Sequence, residues 1–173
     1  MIDKQSPLWT YVSAGQRGLI EEGFFLLEDT KLQPNSLLTD YSYLVFPFAK
    51  AYEGFLKQFF LDLDLINDHQ YQSTHFRIGK VLNPNLRLHL GKNSVYAKLV
   101  KLSNDIEIAD ELWGAWKQGR NLLFHYFPHN LRAITIDEAE MLINQIVQAM
   151  NHALETSKLT ERKFPTAGVY IPA

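Results

Sequence analysis

The chain has 173 residues, 46% of them hydrophobic and 13% aromatic, with a formal net charge of −2; that is the size and make-up of one domain with a packed core, and it excludes a disordered polymer. There is no cysteine, which excludes disulfides, thiolate catalysis and cysteine-ligated zinc. The opening MIDKQSPLWTYVSAGQRG lacks the charged-then-apolar layout of a secretion signal, and no apolar run approaches the ~18 residues a bilayer span needs, so the expectation is a cytoplasmic protein with no membrane partner.

Ser6-Pro7 supplies an N-cap and a first-turn proline for an opening helix, and a longer helical pattern runs from about Gln16 to Leu32. Gly15, Gly18 and Gly23 interrupt it, at roughly 1 kcal/mol each unless close packing requires them. Leu32-Gln33-Pro34-Asn35 reads as a break. From about Leu38 to Leu63 Tyr41, Val45, Phe48, Tyr52, Phe55, Leu56, Phe59 and Leu63 step by threes and fours, the mark of a helix face buried along its length. Pro47 predicts a kink or a restart in that run. On another side Lys50, Glu53 and Lys57 line up, either as a surface Glu/Lys pair contributing about 0.3–0.5 kcal/mol or as a polar line facing a cleft.

Between Asn67 and Asn93 regularity lapses. Asn83-Pro84-Asn85 and Gly91-Lys92-Asn93 are turn chemistry, and HFRIGKVL, His75 to Leu82, reads as a short helix or an extended segment. His69, His75 and His89 fall here without carboxylates or ligand spacing, so no metal site is expected. From His69 to Asn104 there are six Lys or Arg and no Asp or Glu, a charge of +6 that leaves −8 for the rest of the chain. Such unevenness either makes a local surface that attracts polyanions or merely keeps a connecting region soluble.

Ser94 caps a predicted helix VYAKLVKLS, and Asn104 or Asp105 caps the next, whose early Asp105, Glu107, Asp110 and Glu111 suit the positive end of the macrodipole. Pro128 places the end of that helix near Tyr126, with His125 in its last turn. Thr135 and Glu138 fit a capping box for a final helix to about Ser157. The expected architecture is all-α: a bundle of four or five main helices with an irregular basic insertion, residues 1–157 forming one domain and 158–173 a tail or arm.

The chemistry concentrates in GRNLLFHYFP, Gly119 to Pro128. Arginine presents a planar fork of donors to phosphate oxygens, and histidine is the side chain whose ordinary pKa lies nearest neutrality. Arg120 and His125 therefore hold what phosphodiester cleavage needs. On a straight helix of ~3.6 residues per turn they would point roughly 140° apart, so convergence on one phosphate requires an unwound turn or a second subunit. Tyr126, Trp113 and Trp116 are read as core before base-stacking platforms.

With Arg120, Asn121 and His125 spelling Arg, polar residue, spacer, His near the end of the penultimate long helix, the chain resembles the HEPN-domain ribonucleases. Within them it looks most like the catalytic domain of RNase LS-type toxins, to whose earlier helix AYEGFLKQFF, Ala51 to Phe60, is similar. The resemblance spans roughly Leu38 to Leu154. It implies a metal-independent endoribonuclease with no cofactor, acting on RNA as a toxin or defence effector, dimeric, with an antitoxin protein as a further partner. It makes Arg120, Asn121, His125 and Glu53 the catalytic residues, with Lys50, Lys57 and Tyr126 contacting substrate. The alternative is a catalytically silent helical module that binds RNA or nucleotide, or regulates a partner protein. Relatives paired with a nucleotidyltransferase carry tyrosine two residues after the histidine, where this chain has Phe127.

Overall fold

A computed structural model of the chain describes residues 2–33, 38–126 and 128–157. Those residues form an all-α fold, with no strand among them. Helix α1 spans Pro7–Tyr11, α2 Ala14–Leu32 and α3 Phe46–Asp62. Ser6 caps α1 by accepting the Trp9 N–H at 3.2 Å, and Ser13 with Gln16 closes a reciprocal capping box at the head of α2, as such residues do at helix entrances.

The apolar helix of the sequence reading starts later than Leu38. Pro47 sits in the first turn of α3, where its missing N–H costs no helical hydrogen bond, and Ser42–Leu44 before it forms a single 3-10 turn. From there the expected face is buried throughout, with Phe48, Tyr52, Phe55, Leu56 and Phe59 essentially inaccessible. Helices α2 and α3 pack closely enough that a methyl group on Gly23 would meet the Phe48 ring at 2.4 Å, so this glycine is required. Gly15 and Gly18 face open space and have no such reason. The buried Asp62 carboxylate is satisfied by the Tyr11 hydroxyl at 2.5 Å and by Gln58 Nε2 at 2.8 Å, which ties α1 to the far end of α3.

The basic insertion is a run of short turns: α4 at Asp68–Gln72, α5 at Ile78–Val81 and α6 at Arg87–Leu90, with 3-10 turns at Pro84–Leu86 and Gly91–Asn93. Ser94 caps α7, Val95–Ser103, as expected, accepting the Ala97 N–H at 3.1 Å, and Asn104 ends it in the left-handed region at φ 56°. Asp105 rather than Asn104 then accepts the Glu107 N–H at 3.1 Å at the start of α8, Glu107–Trp116. The last described helix, α9, covers Ile136–Ser157 behind the capping box of Thr135 and Glu138. The hydrogen bonds from the Thr135 backbone and hydroxyl hold the Glu138 carboxyl below its usual range.

Helices α2, α8 and α9 pack with α3 around one core. Within it the Tyr52 hydroxyl donates to the Leu112 carbonyl at 3.0 Å, joining α3 to α8. Burial, with Glu111 nearby, pushes that phenol well above its ordinary pKa. The tail from residue 158, residues 34–37 of the expected break and Phe127 lie outside the described residues.

Candidate active site

Two elements meet to form the site. Helix α3 carries Lys50 and Glu53 on the side away from its buried aromatic face, and α8 runs on into a segment of wider, π-type turn, Lys117–Leu122, that carries Arg120. Between them lies an open cleft of about 300 Å³ lined by Phe46, Ala49, Lys50, Glu53, Arg120 and Phe124. The Phe46 and Phe124 rings meet edge to face, with centroids 5.6 Å apart.

An Arg120 Nη2 to Glu53 Oε2 distance of 3.7 Å makes these two an ion pair, with side chains 43% and 40% exposed. The same guanidinium lies over Trp116, 5.3 Å from the ring centre. A half-exposed pair of this kind contributes only about 0–1 kcal/mol to stability, so its structural importance is small. Its effect on Arg120 is orientational: a carboxylate and an indole hold the fork at the cleft, with part of the guanidinium still open to an anion.

The π segment changes the geometry anticipated for the motif. Helical hydrogen bonding stops at Leu122, turns follow, and exposed His125 stands at a bend beyond the helix rather than in its last turn. The wider turn removes the premise of the 140° separation, because each residue of a π-type helix advances by less than an α-helical step. Gly119 allows this segment to lie against α9, since a methyl group there would come within 2.7 Å of Ile146 Cδ1. π-type turns occur disproportionately at functional sites. His125 directly follows Phe124, a cleft-lining residue, but is not itself among the lining residues.

No family model, curated protein or solved structure matches this chain. The site therefore stands on its own geometry.

Of the residues singled out from the sequence, Arg120, Glu53 and Lys50 come together at the cleft. Asn121 is half-buried on the π segment, and neither its side chain nor that of His125 has a hydrogen-bond partner among the described residues. Lys57 does not reach the cleft: its ammonium is held between the carbonyls of Tyr71 and Ser73, at 3.4 and 3.3 Å, and so braces the insertion. Glu53 accordingly pairs with Arg120 and not with Lys57. Trp116 is core as expected and Trp113 is partly buried against the core cluster, but Tyr126 is 79% exposed. Among the described residues no three His, Asp or Glu side chains gather as a metal would require.

Two contributors escaped the sequence reading. Phe46 and Phe124 wall the cleft, although the first falls outside the apolar stripe of its helix and the second reads as a spacer inside the motif. Trp116, four residues before Arg120 and hence one helical turn away, carried a usable signal, because an aromatic at i, i+4 to an arginine is a natural partner for it.

Proposed function

We propose that the chain is a metal-independent endoribonuclease whose substrate phosphate is held at Arg120. The observation that carries this is the half-exposed Arg120 guanidinium, aimed by Glu53 and Trp116 at a cleft that also receives Lys50, with exposed His125 one residue beyond the cleft-lining Phe124. In the reaction the ribose 2′-oxygen forms a bond to the adjacent phosphorus while the bond from phosphorus to the 5′-oxygen breaks. A base takes the 2′-hydroxyl proton and an acid protonates the departing 5′-oxygen, leaving a 2′,3′-cyclic phosphate. His125 performs one of these transfers, Arg120 stabilises the charge growing on the phosphate oxygens, and Asn121 donates to the phosphate or orients the ring.

A homodimer brings a second His125 to the same linkage and so supplies both acid and base. The biological role is that of a toxin or defence effector in the cytoplasm, held in check by a protein partner such as an antitoxin. RNA incubated with the purified chain in excess chelator tests the chemistry. The expected result is cleavage to cyclic-phosphate ends that 2′-deoxy substitution blocks, falling about 10²–10⁴-fold in His125→Ala and about 10²–10³-fold in Arg120→Ala. Unaltered cleavage by His125→Ala overturns the assignment.

The second reading, a silent module that binds RNA without cutting it, is favoured by one feature: the His125 side chain has no hydrogen bond to a described residue that would orient it. It predicts that RNA binds through Arg120 with no cleavage under any of these conditions.

A further inference from the structure

The basic insertion lies against the same corner of the molecule as the cleft. Helix α5 packs on α3, and a methyl group on Gly79 would sit 2.8 Å from Trp116 Nε1. Trp116 is the residue over which Arg120 lies. One side chain therefore separates α5, which carries Lys80 and has Arg77 at its N-cap, from the guanidinium at the cleft. Lys57 strengthens the junction by binding the carbonyls of residues 71 and 73, which fixes the start of the insertion along α3 beyond Glu53.

The cations from Arg77 to Lys98 divide by what they already hold. Lys98 donates to the Leu65 carbonyl at 2.5 Å, and Arg77 commits one nitrogen to the Thr74 carbonyl at 2.8 Å. Lys80, Arg87 and Lys92 are exposed and make no ion pair with any described residue. No acidic residue occurs between His69 and Asn104. Beside Arg87 the surface opens into a shallow depression with Pro84, Asn85 and Leu88.

We propose that the exposed cations of the insertion, Lys80, Arg87 and Lys92, continue the Arg120 cleft as a binding track for single-stranded RNA. This rests on the RNA reading of that cleft and extends it to the rest of the substrate. Exposed charge on a segment whose α5 packs against the tryptophan beneath Arg120 suits the spaced phosphates of one strand. The exposed Phe46 and Phe124 rings at the cleft offer faces for unstacked bases, which a duplex does not present.

Fluorescence anisotropy on the full chain tests it, with a labelled 2′-O-methyl oligonucleotide of roughly 12 nucleotides, within the usual span of single-strand sites and unable to undergo 2′-hydroxyl attack. Lys80→Ala, Arg87→Ala and Lys92→Ala are each expected to weaken binding several-fold. The triple variant should flatten the log-affinity against log-salt slope by about 2, at about 0.7 per lost phosphate contact on a single strand. Lys31→Ala, which removes a lysine paired with Glu140, should leave both unchanged. If the triple variant keeps wild-type affinity and slope with an unchanged circular-dichroism spectrum, the track is refuted, and so it is if a polyglutamate peptide binds there and the oligonucleotide does not. Failure of the nuclease reading looks different: cleavage is absent while RNA binding still depends on the three cations. Conversely, His125-dependent cleavage with an indifferent triple variant removes the track and keeps the nuclease.

Discussion

Arg120 and Glu53 illustrate how small an interaction energy can matter at a site. Their exposed pairing contributes about 1 kcal/mol or less, so Glu53→Gln should leave the thermal midpoint nearly unchanged. Its expected effect is a fall in kcat on RNA with KM little altered, because a guanidinium that has lost its orienting carboxylate stabilises the transition state less well than it binds the ground state. Arg120→Lys should not restore activity in either background, since a point charge replaces a planar fork. Steady-state kinetics beside thermal melts separate these outcomes, and a large loss of stability in Glu53→Gln would show the pair to be structural instead.

A second residue pair, remote from the cleft, gives a pH dependence. His152 on α9 bonds Glu111 on α8. That hydrogen bond raises the His152 pKa above its ordinary value of 6.5, against opposing desolvation and with further help from the charges of Glu111, Glu107 and Glu155. A folded-state pKa above the unfolded one means that the stabilisation is fully present below about 6.5 and is lost as pH rises through the raised value. The His152 side chain is 42% exposed, so solvent screening holds the effect to about 1 kcal/mol or less. Melts of wild type and His152→Gln should therefore differ more at pH 5.5 than at pH 8.5; an equal difference at both would remove Glu111 as the cause.

At the scale of the element, the π segment between Lys117 and Leu122 decides where the motif points. Gly119→Ala places a methyl group 2.7 Å from Ile146 Cδ1, so either the Ile146 side chain rotates away or the segment lifts from α9. The expected result is a destabilisation of about 1–3 kcal/mol, typical of overpacking, accompanied by loss of RNA cleavage as Arg120 and His125 shift together. Ile146→Val removes the Cδ1 atom in question, and the double variant should recover much of both losses. Recovery of neither would mean that the glycine serves a backbone need and not a packing one.

That segment also marks the limit of what could be read from residue order. The caps at Ser6, Ser94 and Thr135 were legible because each depends on a side chain reaching its own backbone three residues on, a local interaction. The aromatic face of α3 was legible because its period is geometric. The start of α3 was displaced because the stripe of Tyr41 and Val45 continues in the sequence while Pro47 resets the backbone. The π-type turn left no periodic trace: it arises where Gly119 meets Ile146, residues far apart in the chain, and so only the fold discloses it. The cleft was legible in Arg120, Glu53 and Lys50, whereas Lys57 lies apart from it, because one more turn along α3 carries that ammonium to the carbonyls of the insertion.

For the molecule as a whole, α3 is the shared support: its inner face fills the core and its outer side holds half of the cleft. Phe55 stands at the centre of that inner face, fully buried, stacked between Tyr52 at 6.3 Å and Phe59 at 5.5 Å and edge-on to Tyr11 at 5.6 Å. Phe55→Ala removes a ring whose neighbours come from α1 and α3, so only partial collapse can fill the gap, and a cost of about 3–5 kcal/mol is expected. A domain of this size loses about 2–4 °C of thermal midpoint per kcal/mol, which gives a drop of about 10 °C. Activity should report the same event differently from a site mutation. Well below the new midpoint α3 still presents Lys50 and Glu53, so cleavage per folded molecule should remain near wild type and fall only as the folded fraction falls, in parallel with circular dichroism. A variant that melts normally at the lower temperature yet has lost cleavage while still folded would show that the aromatic core tunes the cleft directly, and that inner and outer faces of α3 are not separable.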